Sequence, residues 1–416
     1  MVIKVLWVTL RLFSEEKETQ TAVWLKSMAL QLAKINQIKL ANITTVSGIT
    51  STLSCDYGNI SQWVIPLKKI NKNGYPDKVA CSEFKKIVSV FNPDIIQIWG
   101  TENPFQLLPF DSYIGGIKVL AMQGVMASIH PVLLNGLSYW DVIKTIGIRE
   151  IVTRRNLFTI RKSFRQAAQR ETVMIEKSQY IITQSEWTDS QIKHLNTNAR
   201  YFRTSRVLRD EFYNSQKWSE FEHDKAIIYS AAIGYSIKGL HVLIKALAII
   251  RKEVPNIELR LAGATGRTDF LGEGYLRFVI RLAKRLGVFS NIKWIGALTS
   301  TEIVRNLQEA SVFVNPSYVE SYSMVVAEAM AIGTPSVISF TGAMPELAVH
   351  GVEAVFFSPG DYQQLAYKVL MIIGNHDCAT SLSTHSTARS EARYSDFDTV
   401  GNQFKIYSEI LGKNNN

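Results

Sequence analysis

The sequence predicts an α/β protein built from two open parallel sheets covered by helices, and three observations predict it. In the first half, apolar runs rich in branched residues at 3–9, 38–46, 63–65, 94–100, 118–124 and 180–184 alternate with helical stretches. Such strands, separated by helices, suit a parallel sheet buried on both faces. Residues 214–224 are then polar and lack apolar periodicity. Beyond them the alternation restarts with 226–232, 257–263, 292–296, 312–315, 336–340 and 354–357.

At 416 residues the chain is too long for one ordinary core. We divide it into two Rossmann-like domains, 1–213 and 225–392, with a linker at 214–224. The tail, 393–416, carries Phe397, Val400, Phe404, Ile406, Tyr407 and Ile410 at near-helical spacing and reads as a final helix. Asp396 and Asp398 precede that helix and read as capping carboxylates, because negative charge suits a helix start.

Composition narrows the class. Hydrophobic residues make up 46% and charged ones 20%, the balance of a folded globular chain rather than a disordered one. No run is long and apolar enough for a membrane helix, and the first apolar run is cut by Arg11 without a secretory cleavage pattern. Cys55, Cys81 and Cys378 have neither disulfide-framework nor zinc spacing, so a reducing cytoplasm is the expected location. The net charge of +10 is concentrated in residues 144–209, notably Arg149, Arg154, Arg155, Arg161, Lys162, Arg165 and Arg170. This segment reads either as a solvated helix face or as a contact for an anionic membrane surface. Basicity alone does not specify nucleic acid, and no zinc-finger or RNP-like motif accompanies it. No nucleophilic triad, HExxH or Walker loop is present, and the histidines show no metal spacing.

The chemistry-bearing stretch is 315–346. From Met324 to Ile332 every residue but Glu328 is apolar, so the helix must lie inside the protein and take one carboxylate with it. A buried charge needs fixed partners. Either a buried Lys or Arg pairs with Glu328, or a ligand does. Glu320 lies on the loop before the helix, and Ser321 or Ser323 is expected to cap the helix start. Gly333-Thr334-Pro335 ends the helix before the next strand. In such strand-loop-helix units ligands sit beyond the carboxyl ends of the strands, where free amides face outward. Lys238 falls at an equivalent junction, after 226–232 and before a helix with apolar Leu240, Leu243, Ile244 and Leu247, and suits a diphosphate.

The Glu320-x7-Glu328 spacing, the preceding Pro316-Ser317, the run from Glu328 through Gly333 to Pro335, and the later Gly342 to Glu346 together resemble the signature of retaining glycosyltransferases of family 4. That resemblance implies the GT-B fold, in which the two domains face across a cleft and the last helix crosses back to the first domain. It implies that Glu320 and the backbone amides of Ser321, Tyr322, Ser323 and Met324 hold the donor sugar. Glu328 would bind the ribose hydroxyls, and Lys238 would neutralise the departing diphosphate. Gly263, Gly296 and Leu298 fall where the family's loops surround the nucleotide base. Gln123 and Glu102 fall on the acceptor side, Gln123 where many members carry a His.

Gln123 cannot act as an acid or base. The family's Gly pair is absent from the turn at 14–24, and Ile233 occupies the position of a second diphosphate-binding Arg. The implied activity is metal-independent transfer of a hexose from a nucleotide-diphosphate sugar to a saccharide or lipid-linked acceptor, in cell-surface polysaccharide synthesis. No separate cofactor is implied. The alternatives are a non-catalytic nucleotide-sugar-binding protein, or an epimerase or hydrolase of the same fold.

Overall fold

The computed structural model describes residues 2–14, 23–46, 48–67, 70, 74–111, 114–219, 226–232, 234–263, 273–395 and 398–412. The first sheet contains β1 (Ile3–Val8), β2 (Ile38–Val46), β3 (Leu53–Tyr57), β4 (Ile60–Pro66), β5 (Ile95–Trp99), β6 (Ile117–Ala121), β7 (Tyr180–Thr183) and β8 (Arg200–Arg203). Their order is β3-β4-β2-β1-β5-β6-β7-β8, parallel except for the β3–β4 hairpin. Two of these strands were not expected from the sequence, and both lie at edges. β3 is largely exposed, and β8 is two aromatics flanked by arginines, so neither forms an apolar run. The two-residue Gly58-Asn59 turn, with Gly58 at φ +54°, is the signal that identifies the β3–β4 hairpin.

The second sheet has the order β11-β10-β9-β12-β13-β14, formed by β9 (Ile227–Ser230), β10 (Glu258–Ala262), β11 (Ile292–Gly296), β12 (Val312–Asn315), β13 (Ser336–Ser339) and β14 (Val355–Phe357). Its recorded pairings are all parallel, and β9, β12, β13 and β14 are buried along their whole length. Each sheet therefore has an apolar core on both faces. Strand order reverses direction between β1 and β5 in one sheet and between β9 and β12 in the other. These switch points are where an open α/β sheet leaves a crevice for ligands.

The two halves exchange elements. The helix Thr399–Ile410 leaves the second domain and buries Ile406, Tyr407 and Ile410 against β1 and the Val23–Leu32 helix. Asp398 caps it by accepting from the Gly401 amide; Asp396 lies outside the described residues. Inside the first core, Trp7 Nε1 donates to the Tyr407 hydroxyl at 2.9 Å, and that hydroxyl donates to Gln97 Oε1. In the opposite direction, the helical excursion after β6 sends Val142 and Leu157 into the second domain's core. Glu150 of the same excursion accepts from the Gly274 amide at 3.1 Å and pairs with Arg277. Residues 214–219 of the polar stretch lie on the second domain, where Trp218 Nε1 donates to the Ala310 carbonyl and Lys217 to that of Ala331.

Replacing Tyr407 by Ala should cost about 3–5 kcal/mol through the cavity it leaves. Tyr407→Phe should cost about 1–2 kcal/mol by stranding Trp7 Nε1, whereas Gln97 Oε1 still accepts from Gln403 Nε2. Urea denaturation of both variants measures the difference.

Candidate functional site

The site is built at the β9/β12 switch point, from the loops that leave those two strands. After β9 the chain makes a tight turn at Ser236–Lys238, and Gly239 at φ +70° passes against the loop after β12. A Cβ on Gly239 would lie 2.0 Å from the Pro316 carbonyl oxygen, so only glycine permits this approach. The Tyr318 amide donates to the Ile237 carbonyl at 2.7 Å and locks the two loops together. Lys238 is thereby delivered to Glu320: its Nζ donates to Glu320 Oε1 at 2.7 Å, and Ser317 Oγ donates to the same oxygen at 2.7 Å.

Glu320 is held from behind as well. Gly342, at φ +53°, runs so close that a Cβ would lie 1.9 Å from the Glu320 carbonyl oxygen, and the Ala343 amide donates to that carbonyl at 2.9 Å. Both residues expected to be catalytic therefore meet at one point. Among the described residues no group accepts from the amides of Ser321, Tyr322, Ser323 or Met324, which leaves a row of donors beside Lys238. The expected hydroxyl cap is corrected. Ser323 occupies the N-cap position, but its Oγ accepts from Asn315 Nδ2 at 3.0 Å and makes no capping bond. Ser321 instead presents its carbonyl to Ser185 Oγ of the first domain at 3.0 Å.

Glu328 is buried in the Met324–Ile332 helix, and of the two kinds of partner expected for it the protein supplies a buried arginine. Arg209 is that partner, with Nη2 donating to Glu328 Oε1 at 2.9 Å. Burial still raises the Glu328 carboxyl above its ordinary value, while the Arg209 charge pulls it back. Arg209 engages one carboxylate oxygen, and its Nη1 donates to Ser300 Oγ at 2.8 Å. Ser300 opens the helix just beyond Gly296 and Leu298, so the ion pair borders the loop expected at the base. The Gly263 amide donates to the Gly296 carbonyl, joining the ends of β10 and β11. Gly263 and Gly296 have φ of +89° and +70°, and the space beside the Gly296 Cα is open. Leu298 packs partly buried against the second domain's core.

Across the cleft stands a residue that sequence reasoning missed. Arg206, just after β8, holds its guanidinium 4.8 Å from the Trp24 ring and 5.4 Å from that of Tyr322. Its Nε donates to Gln184 Oε1 at 2.7 Å and its Nη2 to the Gln123 carbonyl at 3.3 Å. Burial pulls the guanidinium down to about 10, opposed chiefly by the nearby Tyr322, Glu102 and Glu320 side chains, so it stays cationic at neutral pH. Arg206 thus lies between both acceptor-side candidates and Glu320.

The Glu102 carboxylate accepts from the Thr101 amide at 2.9 Å and from the Gly124 amide, and burial raises it. Neighbouring Glu171, also missed, accepts from Thr101 Oγ1 at 2.6 Å and from the Met126 and Ala127 amides at 3.0 Å each. Burial pushes Glu171 up to about 6, the Glu102 charge adding to the rise. The position of Ile233 and most of the 14–24 turn lie outside the described residues. A cavity of about 200 Å³ follows the seam between the domains, lined by Gln184, Ser185, Arg203, Tyr322 and Glu346 among others. The Tyr322 hydroxyl is buried without a described hydrogen-bond partner.

Residues 210–388 match the family model described as Glycosyl transferases group 1. Over 172 residues the chain is 30% identical to the glycogen synthase of Mycobacterium tuberculosis, a match that covers 41% of this chain and 39% of that protein. The chain spans less than half the length of such curated relatives. Sucrose-phosphate synthase from Thermosynechococcus elongatus is structurally similar, with a TM-score of 0.72 at 13% identity, over 99% of this chain and 100% of that one. HepE of Anabaena, solved in complex with UDP-glucose, gives 0.67 at 16% identity over 99% and 100%. With two parallel-sheet domains and a returning last helix, the fold is GT-B.

Two stability measurements check the buried charges. Arg209→Ala should cost about 3 kcal/mol at neutral pH by stranding the Glu328 carboxylate, and Arg209→Met combined with Glu328→Met should recover most of it. Glu171 has a folded value of about 6 against an ordinary 4.5. Its contribution is therefore fully present below pH 4.5 and is lost as pH rises to about 6, a fall of about 2 kcal/mol. In Glu171→Gln that slope should disappear from urea denaturation curves over the same window.

Proposed function

We propose that the protein is a retaining, metal-independent glycosyltransferase of family 4. In this reading it moves a hexose from a nucleotide-diphosphate sugar to a hydroxyl of a saccharide or lipid-linked acceptor in cell-surface polysaccharide synthesis. The observation that carries the reading is the Lys238–Glu320 pair at the β9/β12 switch point, beside amides without described acceptors. Lys238 is about a third exposed, so its ammonium is reachable by an incoming anion.

On donor binding the diphosphate replaces Glu320 as the partner of Lys238, and the freed carboxylate accepts from sugar hydroxyls. The amides of Ser321, Tyr322, Ser323 and Met324 add fixed donors, which stabilise developing negative charge without reorganising. The bond from anomeric carbon to phosphate oxygen breaks with its electron pair on the diphosphate. The acceptor oxygen bonds to the same face of that carbon, and its proton passes to the leaving phosphate oxygen.

Glu328 has one carboxylate oxygen free of Arg209 and bordering the Gly296–Leu298 loop, which suits a ribose hydroxyl. Arg206 is the second cation of the site, in the role that Ile233 cannot fill. Gln123 and Glu102 shape the acceptor side from the loops after β6 and β5. The group 1 match, the glycogen synthase relative and the UDP-glucose held by the similar Anabaena protein support a nucleotide-sugar donor, with UDP-glucose the first to try. A lipid-linked acceptor would bring the chain to the cytoplasmic face of an anionic membrane.

Calorimetry against UDP-, GDP- and ADP-sugars identifies the donor, and chromatography of donor with and without acceptor separates transfer from hydrolysis or epimerisation. Lys238→Ala, Glu320→Gln and Arg206→Ala should each lower transfer by at least about tenfold. Unchanged turnover in the first two rejects the assignment. Donor affinity without turnover on any acceptor favours the non-catalytic binding protein, a reading motivated by the mutual neutralisation of Lys238 and Glu320.

A further inference from the structure

The excursion of residues 139–158 exposes apolar side chains where its own packing leaves them no partner. Tyr139 is 65% exposed, Trp140 69%, Ile148 63%, Ile151 68% and Val152 75%. The Tyr139 ring lies 5.7 Å from that of Trp140 and 6.2 Å from that of Phe158, so the aromatics form one patch. Ile148, Ile151 and Val152, spaced i, i+3 and i+4, share one face of the next short helix; isolated exposed hydrophobics are ordinary, but two such groups on one excursion are not. Nor is the group a loosely packed core. Val142, Leu157 and Glu150 anchor the same short helices to the second domain, fixing which side faces outward.

Arg154 and Arg155 lie between the aliphatic helix and the Leu157–Lys177 helix that carries Phe158, and the early turns of that helix hold Arg161, Lys162 and Arg165; all five are exposed. The turn between them and the apolar helices passes through Arg154 at φ +53°, a left-handed conformation that an arginine adopts only at a conformational cost. Among the described residues no helix is long and apolar enough to cross a membrane.

We propose that this face docks on an anionic lipid surface, with the aromatic and aliphatic side chains entering the headgroup layer and the flanking cations meeting lipid phosphates. Aromatic residues with a polar edge favour that layer, and clustered arginines supply attraction that an apolar patch of this size lacks. A second copy of the chain is a poorer occupant, because a shared apolar face would bring two sets of arginines together. The inference deepens the reading above by naming the surface through which a lipid-linked acceptor is reached. Its test needs neither donor nor acceptor, so it can fail while transfer succeeds.

The intact chain is sedimented with vesicles of phosphatidylcholine alone or mixed with phosphatidylglycerol, at about 0.1 and 0.5 M salt. Wild type should bind the anionic vesicles at least about tenfold more tightly than the neutral ones. Arg154→Glu with Arg155→Glu should abolish that preference. Trp140→Ala with Ile151→Ser should leave binding at low salt but lose it at high salt, because only the electrostatic part remains. Circular dichroism and thermal unfolding report that the variants are folded. Equal binding to both vesicle types, or unchanged binding in both variants, overturns the proposal. So does light scattering that shows a wild-type dimer dissociated by Ile151→Ser, which would assign the face to self-association.

Discussion

The contact between the Lys238 turn and the loop of residues 315–323 is the constraint from which the rest of the site follows. Two glycines make it possible from opposite sides. Gly239 lets the first loop touch Pro316, and Gly342 lets a third segment press on the Glu320 backbone. With a side chain at either position the facing carbonyl, 2.0 or 1.9 Å from where the Cβ would stand, would have to draw back, which strains the Lys238–Glu320 contact. The sheet order explains why these loops are neighbours at all: β9 and β12 are adjacent and parallel although distant in sequence, and both deliver their loops at the carboxyl end of the sheet.

Buried and half-buried carboxylates around the cleft are satisfied in different ways, and the difference separates framework from exchangeable chemistry. Glu102 and Glu171 accept mainly from backbone amides and the Thr101 hydroxyl, groups that cannot leave without unfolding their loops. Glu328 faces Arg209, a side chain 12% exposed that also holds Ser300. Glu320 instead faces Lys238, whose ammonium sits on a flexible stem that is 36% exposed. An incoming anion can compete for a lysine in that position at little cost. Prising Arg209 from Glu328 would leave a charge buried and unpaired.

Much of the fold was legible because it rests on local periodicity. The expected apolar runs coincide with twelve of the strands, and the returning helix lies where Ile406, Tyr407 and Ile410 require it. The site was legible where one contiguous segment carries it, as with Glu320, Glu328 and the row of amides. It was not legible where distant segments meet. Arg206 and Arg209 lie in a generally basic stretch and look like solvated charges until the loop after β8 carries Arg206 between the domains and Arg209 onto Glu328 of the second. Glu171 sits in a helix beside Arg170 and Glu176 and shows its burial only once the Met126 and Ala127 amides are above it. Ser323 had the right residue type for a cap, but Asn315 offered its hydroxyl a different bond.

The exchange of elements between the domains constrains how the cleft opens. Val142 and Leu157 belong to the second domain's core, while Ile406, Tyr407 and Ile410 belong to the first domain's. Withdrawing either group exposes apolar area, so each moves with the domain that buries it. The contacts across the cleft mouth are of another kind. Glu346 accepts from the Glu186 and Trp187 amides at 2.7 and 2.8 Å, and Ser185 Oγ donates to the Ser321 carbonyl. Water can replace each of these bonds, at a net cost of about 1 kcal/mol apiece. Opening at the mouth is therefore cheap relative to separation at the exchanged elements. The segment that leads from the first domain's last strand to the second domain carries Arg206 and Arg209, so motion that opens the mouth acts on both cations.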